Sequence, residues 1–119
     1  QWTQEIADSG FTHSNTSNSH NITLDAAGAY LVFANLPIKS NTGRASPQMQ
    51  IKLNGTQVTG GFASQGYIRG EEATNKSSIH WVGLIQSAST NQVLTIEMSK
   101  RGAAGSVDVQ TNEKGSTSN

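Results

Sequence analysis

The sequence contains no cysteine among its 119 residues. This absence excludes disulfide bonds and thiolate metal sites, but it leaves the redox compartment open because an oxidising environment permits disulfides without requiring them. Charged residues are also scarce, at 13%, and eight Lys and Arg balance eight Asp and Glu. A chain with zero net charge generates no field that attracts nucleic acid or an anionic membrane surface, so we expect neither as a partner.

Long hydrophobic runs are missing as well. No apolar stretch approaches the roughly 18 to 20 residues that a membrane helix needs, so we expect no membrane insertion. The chain begins at Gln1 with no signal-like segment, and we expect a processed protein or a piece of a longer one. Its length suits one domain covering residues 1–119, in which the polar residues 111–119 form a flexible tail or lead into further residues.

Short segments of alternating polarity are the main feature that is present. Residues 28–36, GAYLVFANL, are apolar on both faces, which is typical of a central strand covered on both sides. Residues 77–87 form a second nearly continuous apolar segment, and residues 92–100 alternate between apolar and polar side chains. Weaker strand candidates cover residues 2–6, 11–14, 21–24, 62–69 and 106–110.

A turn signal follows another of these segments. Residues 48–53 form a half-exposed strand that enters Asn54-Gly55, a dipeptide that readily supplies the two positive φ angles of a type I′ hairpin turn. The other connections, among them residues 39–48, are rich in Ser, Asn, Thr and Gly, which favour turns. The pattern predicts an all-β protein, an antiparallel jelly-roll sandwich of about eight to ten short strands.

Three motifs follow one another in a specific order: a Gly-Ala-Tyr strand start at residues 28–30, the Asn54-Gly55 hairpin and the later segment NQVLTIEM. Over roughly residues 22–109 this order resembles the jelly rolls of the tumour necrosis factor and complement globular-head superfamily, as found in phage and other viral fibre or decoration domains. The family's last apolar strand, with an aromatic residue and a glycine, has no counterpart after Val109. The resemblance implies a compact trimer of ten-stranded jelly rolls that binds or assembles without catalysis.

Self-association is also favoured by the segment that is apolar on both faces. A sandwich buries one face of each sheet, so the second apolar face needs a loop or another subunit to cover it. Our candidates for residues shared between the core and a three-fold interface are Tyr30, Phe33, Trp81 and Val82. The alternative is that all four belong to the core.

The residue types that would make this protein an enzyme are sparse. His13 and His20 lie in a Ser- and Asn-rich region and His80 lies within a strand segment, so a metal site would need an unusual loop to bring ligands together. Glu71 and Glu72 are adjacent and point to opposite sides of an extended chain, which is wrong for a paired acid and base. We therefore expect no enzyme activity, no bound metal and no cofactor.

The sequence leaves three functions open. The first is a structural or interaction module, a homotrimeric head, fibre or capsid-decoration domain on a virion or extracellular assembly, with other virion or fibre proteins, a receptor or a surface glycan as partners. The second is a carbohydrate-binding module of a secreted or surface protein, in which Trp2, Tyr67 or Trp81 stacks on sugar rings. The third is a small hydrolase, but the sequence shows no pair of a base and a nucleophile for it. A jelly roll alone does not decide between them.

Overall fold

The structure is a computed structural model that describes residues 10–14, 16–42, 44–69, 75–101 and 106–109. Within these ranges, no helix is long and apolar enough to cross a membrane. The described residues form nine strands: β1 (Phe11–His13), β2 (Asn21–Leu24), β3 (Gly28–Thr42), β4 (Arg44–Leu53), β5 (Thr56–Ser64), β6 (Ile68–Arg69), β7 (Lys76–Ser87), β8 (Gln92–Arg101) and β9 (Ser106–Val109).

The strands form two sheets. The larger has six strands in the order β1-β2-β8-β4-β5, with β6 also paired to β4, and the smaller has three in the order β7-β3-β9. The chain passes from one sheet to the other five times, between β2 and β3, β3 and β4, β6 and β7, β7 and β8, and β8 and β9, as it does in jelly rolls. The antiparallel sandwich of eight to ten strands predicted from the sequence is confirmed.

The predicted hairpin between β4 and β5 is also confirmed. Asn54 has φ 49° and Gly55 has φ 78°, the two positive angles of a type I′ turn. The backbone N–H and the side-chain Oδ1 of Asn54 form hydrogen bonds of 2.8 Å with the backbone carbonyl and N–H of Val93, respectively. The turn is therefore hydrogen-bonded to β8 as well as lying within its own hairpin.

The expectation of a connection over residues 39–48 is wrong, because this polar segment is mostly strand. β3 continues to Thr42 and pairs with β9, where Ile38 lies opposite Val109 and Ser40 opposite Val107. Ser40 is fully buried, and its backbone N–H donates to the carbonyl oxygen of Asn75 at 2.8 Å. Small polar side chains such as that of Ser40 can face inward when strand pairing satisfies the hydrogen bonds of their backbone groups. Local strand propensity does not predict this pairing.

Two other sequence expectations have different outcomes. The candidate strand over residues 62–69 is divided, since Phe62 and Ser64 belong to β5, and β6 begins only at Ile68. The candidate strand over residues 2–6 and the tail over residues 111–119 lie outside the described residues.

The chain divides into two compact units whose boundaries fall within strands. The first takes its described residues from Gln1–Phe33, Gln50–Phe62 and Trp81–Glu97, and the second from Ala34–Met49, Ala63–His80 and Met98–Asn119. Each unit has buried apolar side chains contributed by both sheets. In the first unit they are Leu24, Ile51, Ile85 and Leu94, and in the second Ala34, Leu36, Ile38, Ala45, Met49, Ile68 and Ile79.

Candidate interaction surface

Four large apolar side chains are exposed on two neighbouring strands of the smaller sheet. On β3, Leu31 is 61% exposed and Phe33 is 72% exposed, and on β7, Val82 is 59% exposed and Leu84 is 68% exposed. Strands β3 and β7 are hydrogen-bonded neighbours, and all four residues lie in the first unit. We call this group the β3–β7 patch.

The alternation of side chains along a strand explains why these residues share a face. On β7, Ile85 is only 2% exposed, so its neighbour Leu84 points to the opposite side of the sheet. On β3, Val32 is half-buried between the exposed Leu31 and Phe33. The patch is therefore the outer face of the smaller sheet, and the described residues cover only the inner face of this part of β3.

The outer face of the larger sheet is different in kind. In the first unit it carries Gln50 and Lys52 on β4 and Thr95 and Glu97 on β8. The Nζ of Lys52 donates a hydrogen bond to Glu97 Oε2 across the two strands. In the first unit, the outer face of the larger sheet is therefore polar at these positions, whereas the outer face of the smaller sheet carries the apolar β3–β7 patch.

The size of the patch can be estimated from its four side chains. With roughly 150 to 200 Å² per side chain, the exposed fractions leave on the order of 450 Å² of apolar surface in water. This is within the range of the largest patch on an ordinary monomer, about 300 to 600 Å², and such patches often bind partners. It is also about half of the roughly 800 Å² that one partner contributes to an interface of standard size.

The structure brings together two of the four residues predicted for an interface. Phe33 and Val82 belong to the patch, but Tyr30 and Trp81 point to the other side of their strands. The Tyr30 hydroxyl donates to the carbonyl oxygen of Ala26 at 2.8 Å. The indole Nε1 of Trp81 donates at 2.8 Å to the carbonyl oxygen of Gly60 on β5, which belongs to the other sheet.

Two residues of the patch were not among the sequence candidates. Leu31 is the alternating neighbour of Phe33, and Leu84 is the alternating neighbour of Val82. The period of two along each strand therefore predicted that Leu31 lies on the same face as Phe33 and Leu84 on the same face as Val82. It did not show which face of either strand is covered. Both faces of both strands are apolar, so periodicity alone gave no preference.

The candidates for sugar stacking lie in separate places. Tyr67 is 48% exposed, and its ring centroid is 5.7 Å from the guanidinium carbon of Arg44. Trp81 is half-buried with its ring against Gly83 of its own strand. Trp2 lies outside the described residues.

A groove adjoins the patch at Leu84 and has a volume of about 420 Å³. Its lining mixes apolar side chains, such as Leu53 and Val58, with the neutral polar side chains of Thr56 and Gln57. None of the described residues that line it is titratable, so they supply no general acid or base.

The histidines form local hydrogen bonds. The Nε2 atom of His13 lies 3.1 Å from the carbonyl oxygen of Ser19, and the Nε2 of His80 lies 2.8 Å from the hydroxyl of Ser78. His20 is exposed. Among the residues that the structure describes, no three His, Asp or Glu side chains come together as metal ligands, and Glu71 and Glu72 lie outside those residues.

Comparison with known proteins gives no assignment. No protein-family model matches the chain, and no curated protein matches it significantly in sequence.

Proposed function

We propose that this protein is a non-enzymatic interaction module that assembles with further copies of itself through the β3–β7 patch. The observation that carries the proposal is the exposure of Leu31, Phe33, Val82 and Leu84, from 59% to 72%, on two adjacent strands. Water in contact with such a surface is unfavourable, and a partner that covers it gains the transfer free energy.

A second copy is the partner that the chemistry favours. An apolar patch is complementary to itself, and a chain of zero net charge brings little long-range repulsion to an encounter between copies. Covering the patch on two copies would remove on the order of 900 Å² from water, which is near the roughly 1,000 Å² at which specific interfaces begin. Because association also costs about 4 to 15 kcal/mol in lost freedom, the patch supplies the centre of the proposed interface, and contacts around it complete the interface.

The assembly that we propose is a homotrimer that serves as a head, fibre or decoration domain on a virion or extracellular assembly. This part of the proposal depends on the resemblance of residues 22–109 to trimeric jelly rolls and on the charge-poor composition. In a closed three-fold ring the patches of the three copies would meet around the symmetry axis, which leaves none of them exposed. The polar outer face of the larger sheet would remain in water, available to other virion or fibre proteins.

The mass of the purified protein in solution tests the proposal directly. We expect multi-angle light scattering across a dilution series to give three times the 12.6 kDa chain mass at high concentration. A dimer would retain the patch as an interface but contradict the trimer. A monomer at every concentration would contradict self-association.

Charged variants test whether the oligomeric mass depends on the β3–β7 patch. Phe33→Asp and Leu84→Asp each place a carboxylate in the proposed interface, where its desolvation opposes assembly, and we expect both to give folded monomers. Thr95→Asp introduces the same charge on the outer face of the larger sheet and serves as the matched control. If Thr95→Asp dissociates the assembly as effectively, the loss comes from charge and not from the patch.

A carbohydrate-binding function has one supporting observation, the exposed ring of Tyr67. A sugar platform usually places an aromatic ring where a ligand can lie flat on it; Tyr67 is 48% exposed, and the Arg44 guanidinium lies over its ring. A titration with neutral glucose, followed by tyrosine fluorescence in the wild type and in Tyr67→Ala, tests this second candidate.

A further inference from the structure

Two arginines face each other across strands β4 and β6. The register of this antiparallel pair places Arg44 opposite Arg69 and Ala45 opposite Ile68. Residues directly opposite each other in such a pair have Cα atoms roughly 4.5 to 5.5 Å apart, and their side chains leave the sheet on the same face. Arg44 and Arg69 are both exposed on that face.

The register that brings the arginines together is held in place by burial. Ala45 is 2% exposed and Ile68 is 6% exposed, so both face the interior of the second unit. Because side chains alternate, a slip of one residue would expose Ile68 and bury an arginine. The chain therefore cannot separate the two opposed arginines by shifting the strand.

Neither arginine has an acidic partner in the described part of the chain. Arg44 contacts the ring of Tyr67, 5.7 Å from its centroid, at a distance typical of a cation–π pair. Lys52, which also lies on β4, pairs with Glu97, so a cation on this strand can have a carboxylate partner. Like charges directly opposite each other in a sheet are unfavourable, and local rules of this kind are broken mainly at functional sites.

We propose that Arg44 and Arg69 form a binding site for an oxyanion, a carboxylate, sulfate or phosphate group carried by a small acidic ligand. Each guanidinium presents a planar set of donors that matches the oxygens of such a group. An anion between them replaces repulsion with two charge-assisted interactions. Tyr67 is a positioning residue that holds the Arg44 guanidinium, and its exposed ring can contact the rest of the ligand.

Inorganic sulfate and acetate are the probes for the first test. Thermal unfolding is followed as chloride is replaced by sulfate, or by acetate, at constant ionic strength. A ligand that binds the native state raises Tm, and sulfate also raises Tm generally because it is excluded from protein surfaces, so we expect the rise in Tm with sulfate or acetate to be larger in the wild type than in Arg69→Gln. NMR spectra should show the accompanying shifts at the Nε–H groups of Arg44 and Arg69.

Arg69→Gln separates binding from stability. Without the anion, removal of one of two opposed charges should raise Tm by roughly 1 to 3 °C at low ionic strength, a difference that disappears in high salt. With sulfate, the variant should bind about 10- to 100-fold more weakly than the wild type. Lys52→Gln is the matched control, because it removes a cation from β4 and should leave sulfate binding unchanged.

Substitutions at Tyr67 test its positioning role. Tyr67→Phe keeps the aromatic face under Arg44 and should retain sulfate affinity, whereas Tyr67→Ala should weaken it. Glucuronate and glucose 6-sulfate distinguish a carboxylate from a sulfate ester as the preferred group, with neutral glucose as the control.

The proposed oxyanion site is contradicted if sulfate and acetate shift Tm no more than chloride does. It is also contradicted if they shift Tm of Arg69→Gln as much as that of the wild type. Equal binding of glucose and its acidic derivatives would also overturn it, because the tyrosine ring alone would then account for the binding. Tm also depends on self-association, so the wild type and Arg69→Gln are compared at one protein concentration; both keep the β3–β7 patch, and the oxyanion site and the proposed self-association therefore fail or succeed separately.

Discussion

The indole ring of Trp81 lies over Gly83, two residues further along β7. A Cβ atom built on Gly83 would lie 3.1 Å or less from three atoms of that ring. The same ring is tied to the larger sheet, because its Nε1 donates to the carbonyl oxygen of Gly60 at 2.8 Å. The absence of a side chain at Gly83 is therefore what allows the tryptophan to lie flat against its own strand.

Gly83→Ala should destabilise the protein by about 1 to 3 kcal/mol, the usual range for overpacking. The added methyl group would push the ring away from β7 and weaken its hydrogen bond to Gly60. Chemical denaturation of the folded variant measures the loss. The control is the same substitution in a Trp81→Ala background, where the ring is gone and the alanine should cost much less. Equal costs in the two backgrounds would show that the contact is not responsible.

Trp81→Ala should cost about 3 to 5 kcal/mol, as large aromatic truncations do in a core. The ring is half-buried, lies away from the β3–β7 patch and joins the two sheets by a hydrogen bond. We expect the folded fraction of this variant to keep the oligomeric mass of the wild type. A cost below about 1 kcal/mol, with loss of the oligomer, would instead place Trp81 in the subunit interface.

The hairpin turn gives a graded prediction at Asn54. Asn54→Ala removes the acceptor for the Val93 N–H and places alanine at φ 49°, so we expect a loss of about 1 to 3 kcal/mol. Asn54→Asp keeps an acceptor oxygen and should cost less. Equilibrium denaturation measures the free energy of unfolding of both variants. Equal losses would mean that the side-chain hydrogen bond contributes nothing to stability.

Two glycines near the β5 strand should differ sharply in their tolerance of alanine. A Cβ on Gly61 would lie 2.8 Å from the carbonyl oxygen of Ile51 and 2.9 Å from that of Val58, whereas one on Gly66 would meet nothing within 4 Å. Because backbone atoms cannot turn aside, Gly61→Ala should lower Tm by several degrees, at a cost of about 1 to 3 kcal/mol. Gly66→Ala should leave Tm nearly unchanged, and a comparable loss at Gly66 would contradict the steric explanation.

Much of the fold could be predicted from the sequence because the signals are local. The alternation over residues 92–100 and the nearly continuous apolar segment over residues 77–87 both predict strands, and Asn54-Gly55 specifies one kind of turn. Composition and the absence of helical periodicity were enough for an all-β sandwich. The polar segment over residues 39–48 was missed, because its strand structure depends on distant partners such as Val107 and Val109.

The β3–β7 patch and the arginine pair depend on contacts that no local pattern contains. Alternation shows that Leu31 and Phe33 share a face of β3, but both faces of that strand are apolar, and packing against the other sheet decides which one is buried. Arg44 and Arg69 are 25 residues apart in the chain, and each is unremarkable alone. They become neighbours only because the burial of Ala45 and Ile68 sets the register of β4 and β6, a non-local choice made by the core.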